Sequence, residues 1–259
     1  MPILNWPVGQ IENLVLIFTR VIGIFLAAPV LNSSRVPPHT KIGLSLLVAV
    51  IMTPVVGMTG PLATEPLPFA SLVLKEAVVG ISIGFVAHMI FAAVQMAGEM
   101  ADMQSGFAFA GLIDPNSGQH TSIIGQFQIM MAWLIFLGVD GHHVLFNGLA
   151  ESFRIMPLGS ISVDASVVKG VMALGSRIFV IALQIGAPIM GAVLLGDIAL
   201  GMLARTVPQM NILVLGFPVK MLLGIIILVL ALPLSLALER NLVYLTKGAI
   251  THLFSLAAR

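Results

Sequence analysis

A polar segment between two long apolar stretches constrains the fold of this chain more than any other feature. The segment runs from Ala204 to Lys220 and contains Pro208, Gly216 and Pro218. Proline has no backbone N–H, and hydrocarbon offers no partner to the backbone groups that an interrupted helix leaves free. The segment must therefore lie against protein or in a water-filled cavity, and it predicts a membrane protein with an irregular polar interior.

The composition supports the same class of protein. Of the 259 residues, 58% are hydrophobic and 9% charged, whereas ordinary soluble domains have roughly 45–50% apolar and about 25% charged residues. The net charge of +1 gives no electrostatic footprint for nucleic acid. The absence of cysteine excludes disulfides, thiolate nucleophiles and cysteine-bound metals. Arg20, the first basic residue, lies inside an apolar run, so that run is predicted to be a retained anchor rather than a cleaved signal.

Apolar runs at helical length predict an all-α protein with about six membrane-type segments in one domain. Gly186 and Pro188 are expected to kink or split the longest run. Loops are predicted over Gly57 to Ser71, Gly98 to Ser122 and Asp140 to Lys169. The runs are Leu14 to Leu31, Ile42 to Val56, Leu72 to Ala97, Ile123 to Val139, Gly170 to Gly201 and Ile212 to Leu238.

Several charged residues lie within or beside these runs, namely Arg20, Glu76, Arg177, Asp197 and Lys220. Each would cost about 2.5–3.5 kcal/mol at the bilayer centre on insertion scales, so they must face protein, water or the bilayer surface. Asp197 and Arg205 lie about 12 Å apart along an unbroken helix and cannot pair directly. Two interpretations stay open: structural pairs at helix interfaces, or an ion or proton pathway.

The pentapeptide Gly80 to Gly84, with Ser82 at its centre, matches the GxSxG pattern of hydrolases. That motif requires a strand, a turn and a helix, whereas this pentapeptide lies inside a predicted helix. The two glycines instead form a small-residue face against which another helix can pack. We therefore expect packing, with an intramembrane serine protease as the enzymatic alternative.

The six histidines do not follow the spacing of a metal site. His142 and His143 are adjacent, and the other four are scattered at His39, His88, His120 and His252. No histidine pair at i and i+4 accompanies a glutamate, as a helical zinc site would require. The sequence predicts no metal site.

The loop from Gly98 to Gln119 carries a short apolar tongue between polar residues. Glycines beside Phe107 and Phe109 make the tongue bendable, and Asp114 with Pro115 ends it in a turn. It could bury its phenylalanines in a groove, or it could occlude a pore, since apolar constrictions gate by excluding water. In the pore alternative, the predicted plug consists of Gly106, Phe107, Ala108, Phe109, Ala110, Gly111, Leu112, Ile113 and Asp114.

Three patterns, in this order along nearly the whole chain, resemble the FliR family of flagellar export-gate proteins, to which the SctT proteins of injectisomes are closely related. The first is Arg20, Gly23, Pro29, Pro37 and Lys41; the second is Gly106-Phe107 to Asp114-Pro115; the third is Arg205, Pro208-Gln209, Asn211, Gly216, Pro218 and Lys220.

The resemblance implies a subunit of a type III export gate that passes unfolded proteins across the bacterial inner membrane within the flagellar basal body. It implies kinked and broken helical hairpins in a helical ring, with FliP-like and FliQ-like subunits and an FlhB-like protein as partners. One domain over residues 1–259 is expected, with a FliP-like part over about 1–169 and a FliQ-like helical pair over about 170–259. Neither catalysis nor a cofactor is expected.

The cost of charge in the bilayer, together with the polar residues of the third pattern, predicts roles for the polar residues. Those expected at subunit contacts or in buried polar positions are Arg20, Glu76, Arg177, Asp197, Arg205, Gln209, Asn211 and Lys220. The alternatives are an injectisome gate subunit and a small-solute transporter, whose broken helices and midplane charges would look similar.

Overall fold

The computed structural model describes residues 8–29, 32–33, 36–57, 66–108, 122–160, 165–207 and 212–257. Within these ranges every regular element is an α-helix, and the predicted all-α fold is confirmed. The helices are α1 (Val8–Ala27), α2 (Pro38–Val56), α3 (Pro66–Ser105), α4 (Ile123–Gly138), α5 (Gly141–Ile155), α6 (Ala165–Thr206) and α7 (Ile212–Ala257).

Five of these helices have the length and apolar composition of membrane spans, and α4 and α5 counted together as one broken span would make six. The five candidate spans are Gly9–Ala27, Pro38–Val56, Pro66–Ser105, Met172–Thr206 and Val214–Leu242. This confirms the membrane class that the composition predicts.

Helix α5 corrects the sequence prediction, which placed a loop over Asp140 to Lys169. Its buried face includes Leu145, Leu149 and Phe153, which recur at helical spacing. The exposed residues His143, Asn147 and Arg154 interrupt any continuous apolar run here. A search for apolar runs alone therefore misses an amphipathic helix.

The prolines also act differently from the prediction. Helix α6 continues through Gly186 and Pro188, so the predicted split is absent. Gly216 and Pro218 lie inside α7 and do not interrupt it, and Pro208 lies outside the described residues. Long membrane-type helices tolerate proline because neighbouring groups and local adjustments satisfy the freed backbone.

Helix α3 likewise exceeds its predicted run at both ends. It begins at Pro66 and ends at Ser105, inside the regions expected to be loops. The polar residues of its last turns, Asp102 and Gln104, find partners in the structure and therefore do not end the helix early.

The chain forms two compact units, each assembled from separate parts of the sequence. Unit 1 comprises Met1–Ile90, Asp140–Gly175 and Val243–Arg259. Its helix α2 packs mainly on α1 and also touches α5. Its buried apolar side chains include Leu16, Ile17, Val21, Ile24, Phe25, Ile83, Val86, Leu145, Leu149 and Phe153.

Unit 2 comprises Phe91–Val139 and Ser176–Leu242. Phe91 and Phe136 meet edge to face, with ring centroids 5.4 Å apart. A second cluster joins α3, α4 and α6 through Ala101, Ile124, Ile189 and Val193. This second cluster lies beside the base of the loop that the sequence singles out.

Candidate functional site

The loop after α3 begins with a residue whose conformation and surroundings both require glycine. Gly106 has φ +86°, a backbone conformation that side chains disfavour. A Cβ at this position would also lie 2.9 Å from Cδ1 of Phe217 on α7. Of the predicted plug, the structure describes Gly106, Phe107 and Ala108, while Phe109 to Asp114 lie outside the described residues.

Polar contacts fix the loop on both of its sides. The Asp102 carboxylate accepts hydrogen bonds from the Ile124 backbone N–H, at 3.1 Å to Oδ1 and 3.3 Å to Oδ2. Ser122, the N-cap of α4, accepts from the Gly125 N–H at 2.8 Å. The last turn of α3 is thereby tied to the first turn of α4, across the loop that separates them.

Two further contacts hold the end of α3 against α6 and α7. Gln104 Nε2 donates to the Met190 carbonyl on α6 at 2.9 Å. Ser105 is fully buried, and a Cβ at Gly224 of α7 would lie 2.7 Å from its Oγ. The loop therefore begins from a packed base within unit 2.

Phe107 packs against the cluster of Ala101, Ile124, Ile189 and Val193 and is partly buried. For Phe107, this contact is the one expected if the loop buries its phenylalanines in a groove. Phe109, the other phenylalanine of the predicted plug, lies outside the described residues.

Arg20 and Glu76 form a buried ion pair in unit 1, with both side chains 0% exposed. Arg20 Nε donates to Glu76 Oε2 at 2.6 Å, and the Phe153 ring lies 4.2 Å from the guanidinium carbon. The remaining polar atoms bond to α5 and the segment after it. Arg20 Nη1 donates to Ser152 Oγ at 3.1 Å, both Nη atoms donate to the Met156 carbonyl at 3.2 Å, and the Gly159 N–H donates to Glu76 Oε1 at 3.0 Å.

Asp197 on α6 and Lys220 on α7 form a second ion pair, in unit 2. Their side chains are 35% and 26% exposed, respectively. Arg177 and Arg205 are exposed on α6, and Gln209 and Asn211 lie outside the described residues. Of the eight polar residues predicted at subunit contacts or in buried positions, four thus form two ion pairs, Arg20 with Glu76 and Asp197 with Lys220.

The pentapeptide around Ser82 lies inside helix α3, so the strand, turn and helix of a hydrolase elbow are not formed there. Ser82 Oγ donates to the Val78 carbonyl of its own helix at 2.7 Å. A Cβ at Gly84 would lie 2.7 Å from the Ala28 backbone N, and one at Gly23 of α1 would lie 2.9 Å from the Ile81 backbone N. These glycines let α1 and α3 approach closely, as expected for a packing face.

The structure brings Asp140 beside His142 and His143, a grouping that the sequence prediction missed. Asp140 Oδ1 lies 3.4 Å from His143 Nδ1 and 3.9 Å from His142 Nε2. This grouping does not follow the spacing of a helical zinc site, which has histidines at i and i+4 with a glutamate. A short D-x-H-H pattern at the start of a helix would have been the signal.

The family model for bacterial export proteins, family 1, matches residues 11–244. The chain is 34% identical over 244 residues to the flagellar biosynthetic protein FliR of Bacillus subtilis (strain 168), covering 93% of this chain and 94% of that protein. It is 33% identical to the protein of that name from Pectobacterium carotovorum subsp. carotovorum, over 84% of this chain and 83% of that protein. It is 31% identical to the one from Escherichia coli (strain K12), over 83% of this chain and 82% of that protein.

Proposed function

The chain belongs to the FliR family of bacterial export proteins, and from this premise we propose that it forms part of the wall of a protein-conducting gate that its own loop keeps closed at rest. Family membership makes it a component of the flagellar export apparatus, and its apolar helices make it a membrane protein of that apparatus. The proposal adds to this that the chain lines a gate and that the residues of its loop form the plug.

The observation that carries the proposal is the fixed base of the loop. Asp102 and Ser122 secure the helix ends on either side, and Gln104 secures the last turn of α3 to α6. A plug needs a rigid mount and a residue about which it can swing. Gly106, with its positive φ beside Phe217, supplies such a hinge at the start of the tongue.

The partners in this proposal are FliP-like and FliQ-like subunits in the inner membrane, beside an FlhB-like protein, and the substrates are unfolded proteins. Large exposed apolar side chains on α6 and α7 support it, because such surfaces need lipid or another subunit to cover them. Examples are Leu195, Met202, Val214, Val229 and Leu230. The ion pair of Asp197 and Lys220 joins these two long helices, which supports a helical pair within residues 170–259.

The flagellar branch is favoured over the injectisome. The relatives from Bacillus, Pectobacterium and Escherichia described above all carry a flagellar name. We therefore place the chain in the flagellar basal body.

Site-specific photocrosslinking to a stalled export substrate tests this proposal. A photoreactive phenylalanine analogue replaces Phe109, and an export substrate fused to a stably folded domain halts in the gate. We expect a crosslink between position 109 and the stalled substrate. The matched control is Phe179, which is 59% exposed on α6 outside the loop. Equal crosslinking at both positions, or none at position 109, would contradict a substrate path along the loop.

A further inference from the structure

Three side chains of types that can bind metals lie together at the start of α5, apart from the contacts that support the proposed gate. Asp140 is the N-cap residue of α5, and His142 and His143 are in its first turn. One ligand atom from each residue lies within 4.8 Å of the other two. Among the residues that the structure describes, Asp140 is also the one non-glycine with positive φ, at 56°.

The Asp140 carboxylate faces the imidazoles instead of capping the helix. An N-cap aspartate usually accepts a hydrogen bond from a backbone N–H of the first turn. Asp140 makes no such side-chain bond, and its Oδ1 lies 3.4 Å from His143 Nδ1 and 3.9 Å from His142 Nε2. Asp140 therefore has a left-handed backbone and a carboxylate that lies next to both histidines.

The distances fit a small divalent cation. Zinc binds histidine nitrogen at about 2.0–2.1 Å and carboxylate oxygen at about 2.0–2.2 Å, so neighbouring ligand atoms of a tetrahedral site lie roughly 3.3 Å apart. The contact between Asp140 and His143 already has this separation, and the contact between Asp140 and His142 is a few tenths of an ångström longer. The ligand nitrogens of His142 and His143 lie within 4.8 Å of each other, so side-chain rotation has to bring them closer before they share one ion.

The donor set also selects the class of metal. Two imidazoles and one carboxylate suit zinc and its neighbours in the transition series, whereas calcium and magnesium prefer oxygen ligands alone. Three protein ligands leave one tetrahedral position for water. Within the part of the chain that the structure describes, the buried His142 Nδ1 has no hydrogen-bond partner, so we expect an affinity about 10–100-fold below that of a site with an outer group to orient the ring.

We propose that Asp140, His142 and His143 form a binding site for a zinc-class divalent cation at the start of α5. The cation holds Asp140 in its left-handed conformation and carries one exchangeable water. The site depends on unit 1 alone and is independent of the proposed gate.

Cobalt titration of the purified full-length chain, in complex with its partner subunits, tests the site. Tetrahedral Co²⁺ absorbs visible light far more strongly than octahedral Co²⁺. We expect one Co²⁺ per chain with the strong tetrahedral spectrum, and its displacement by Zn²⁺. The double variant His142→Ala/His143→Ala should bind at least about tenfold more weakly, because loss of even an outer-shell partner costs about 10–100-fold.

Two further variants distinguish metal binding at this site from loss of folding and from binding to other histidines. Asp140→Asn is compatible with the left-handed backbone and removes the charge, so it should weaken binding without unfolding α5. The matched control is His39→Ala/His88→Ala, which removes two exposed histidines on α2 and α3 and should leave binding unchanged. The proposal is overturned if the parent binds no Co²⁺ at millimolar concentration, if the His142/His143 variant binds as tightly as the parent, or if the control loses as much affinity.

Discussion

The two compact units hold charged residues in an apolar protein in different ways. In unit 1, Arg20 and Glu76 are fully buried and share hydrogen bonds with Ser152, Met156 and Gly159. In unit 2, Asp197 and Lys220 pair while each stays about one-quarter to one-third exposed. A buried charge without partners is very costly, so the first pair fixes α1, α3 and α5 together. The second pair constrains only two helices, in the unit that carries the loop.

Removing one partner of the buried pair should have the largest effect on stability. Glu76→Ala leaves the Arg20 guanidinium buried without its carboxylate and the Gly159 N–H without its acceptor. We expect a loss of about 3–5 kcal/mol in the free energy of unfolding. Thermal unfolding of the purified complex in detergent measures it.

The control for this prediction replaces both charges. Arg20→Met/Glu76→Leu removes the ion pair and leaves apolar side chains, and such replacements are often neutral or stabilising by about 1–4 kcal/mol. We expect the double variant to be more stable than Glu76→Ala. A Glu76→Ala protein as stable as the parent would show that the buried pair does not organise unit 1.

The glycine contact between α1 and α3 should come next in size. Gly84→Ala places a methyl group 2.7 Å from both the Ala28 backbone N and the Ala27 Cβ, so the helices must separate. Overpacking of this kind costs about 1–3 kcal/mol. Gly43→Ala is the matched control, because a Cβ at that position on α2 would meet no described atom within 4 Å other than its own helix backbone. It should stabilise the helix by up to about 1 kcal/mol, and a similar effect of both changes would refute the close contact.

In unit 2, Gly106→Ala should weaken the base of the loop. The left-handed backbone costs a residue with a side chain about 1–2 kcal/mol, and the new Cβ meets Phe217. Combining it with Phe217→Leu should recover part of the steric loss, which a double-mutant cycle measures. Strict additivity of the two changes would show that these residues do not act on each other.

The smallest effect should come from the exposed pair. Lys220→Met leaves Asp197 with about one-third of its side chain exposed, and partly exposed ion pairs contribute about 0–1 kcal/mol. We expect a loss in the free energy of unfolding of about 1 kcal/mol or less, measured as for Glu76→Ala. A loss as large as that of Glu76→Ala would show that the partly exposed pair of unit 2 stabilises the protein as much as the buried pair of unit 1.

The sequence predicted the features that depend on composition and local pattern. Apolar runs identified the membrane-type helices, and the spacing of Gly80 and Gly84 identified a packing face that the structure places against α1. Helix α5 was missed because its exposed polar side chains interrupt the run. The continuity of α6 through Pro188 was missed because local rules do not include the tertiary contacts that support a proline.

The pairing of the charged residues could not be derived from the sequence. Arg20 and Glu76 lie on different helices, far apart in the chain, and their cluster draws on a backbone carbonyl and a backbone N–H, at Met156 and Gly159. Because nearly every residue carries such backbone groups, no residue type in the sequence indicates which ones bind a charge. Asp197 is too far from Arg205 along their shared helix to pair with it, and its partner is Lys220 on the next helix.

Ion conductance through the assembled complex tests the central proposal, that the loop after Gly106 closes the gate. Three variants are compared with the parent: Phe109→Ser, Phe107→Ser/Phe109→Ser, and Phe179→Ser as the control outside the loop. Polar side chains at an apolar constriction let water enter. We therefore expect both loop variants to leak ions under an applied potential while the complex still assembles, and the control to stay closed. Conductance equal to the parent in assembled complexes of both loop variants would contradict the proposal.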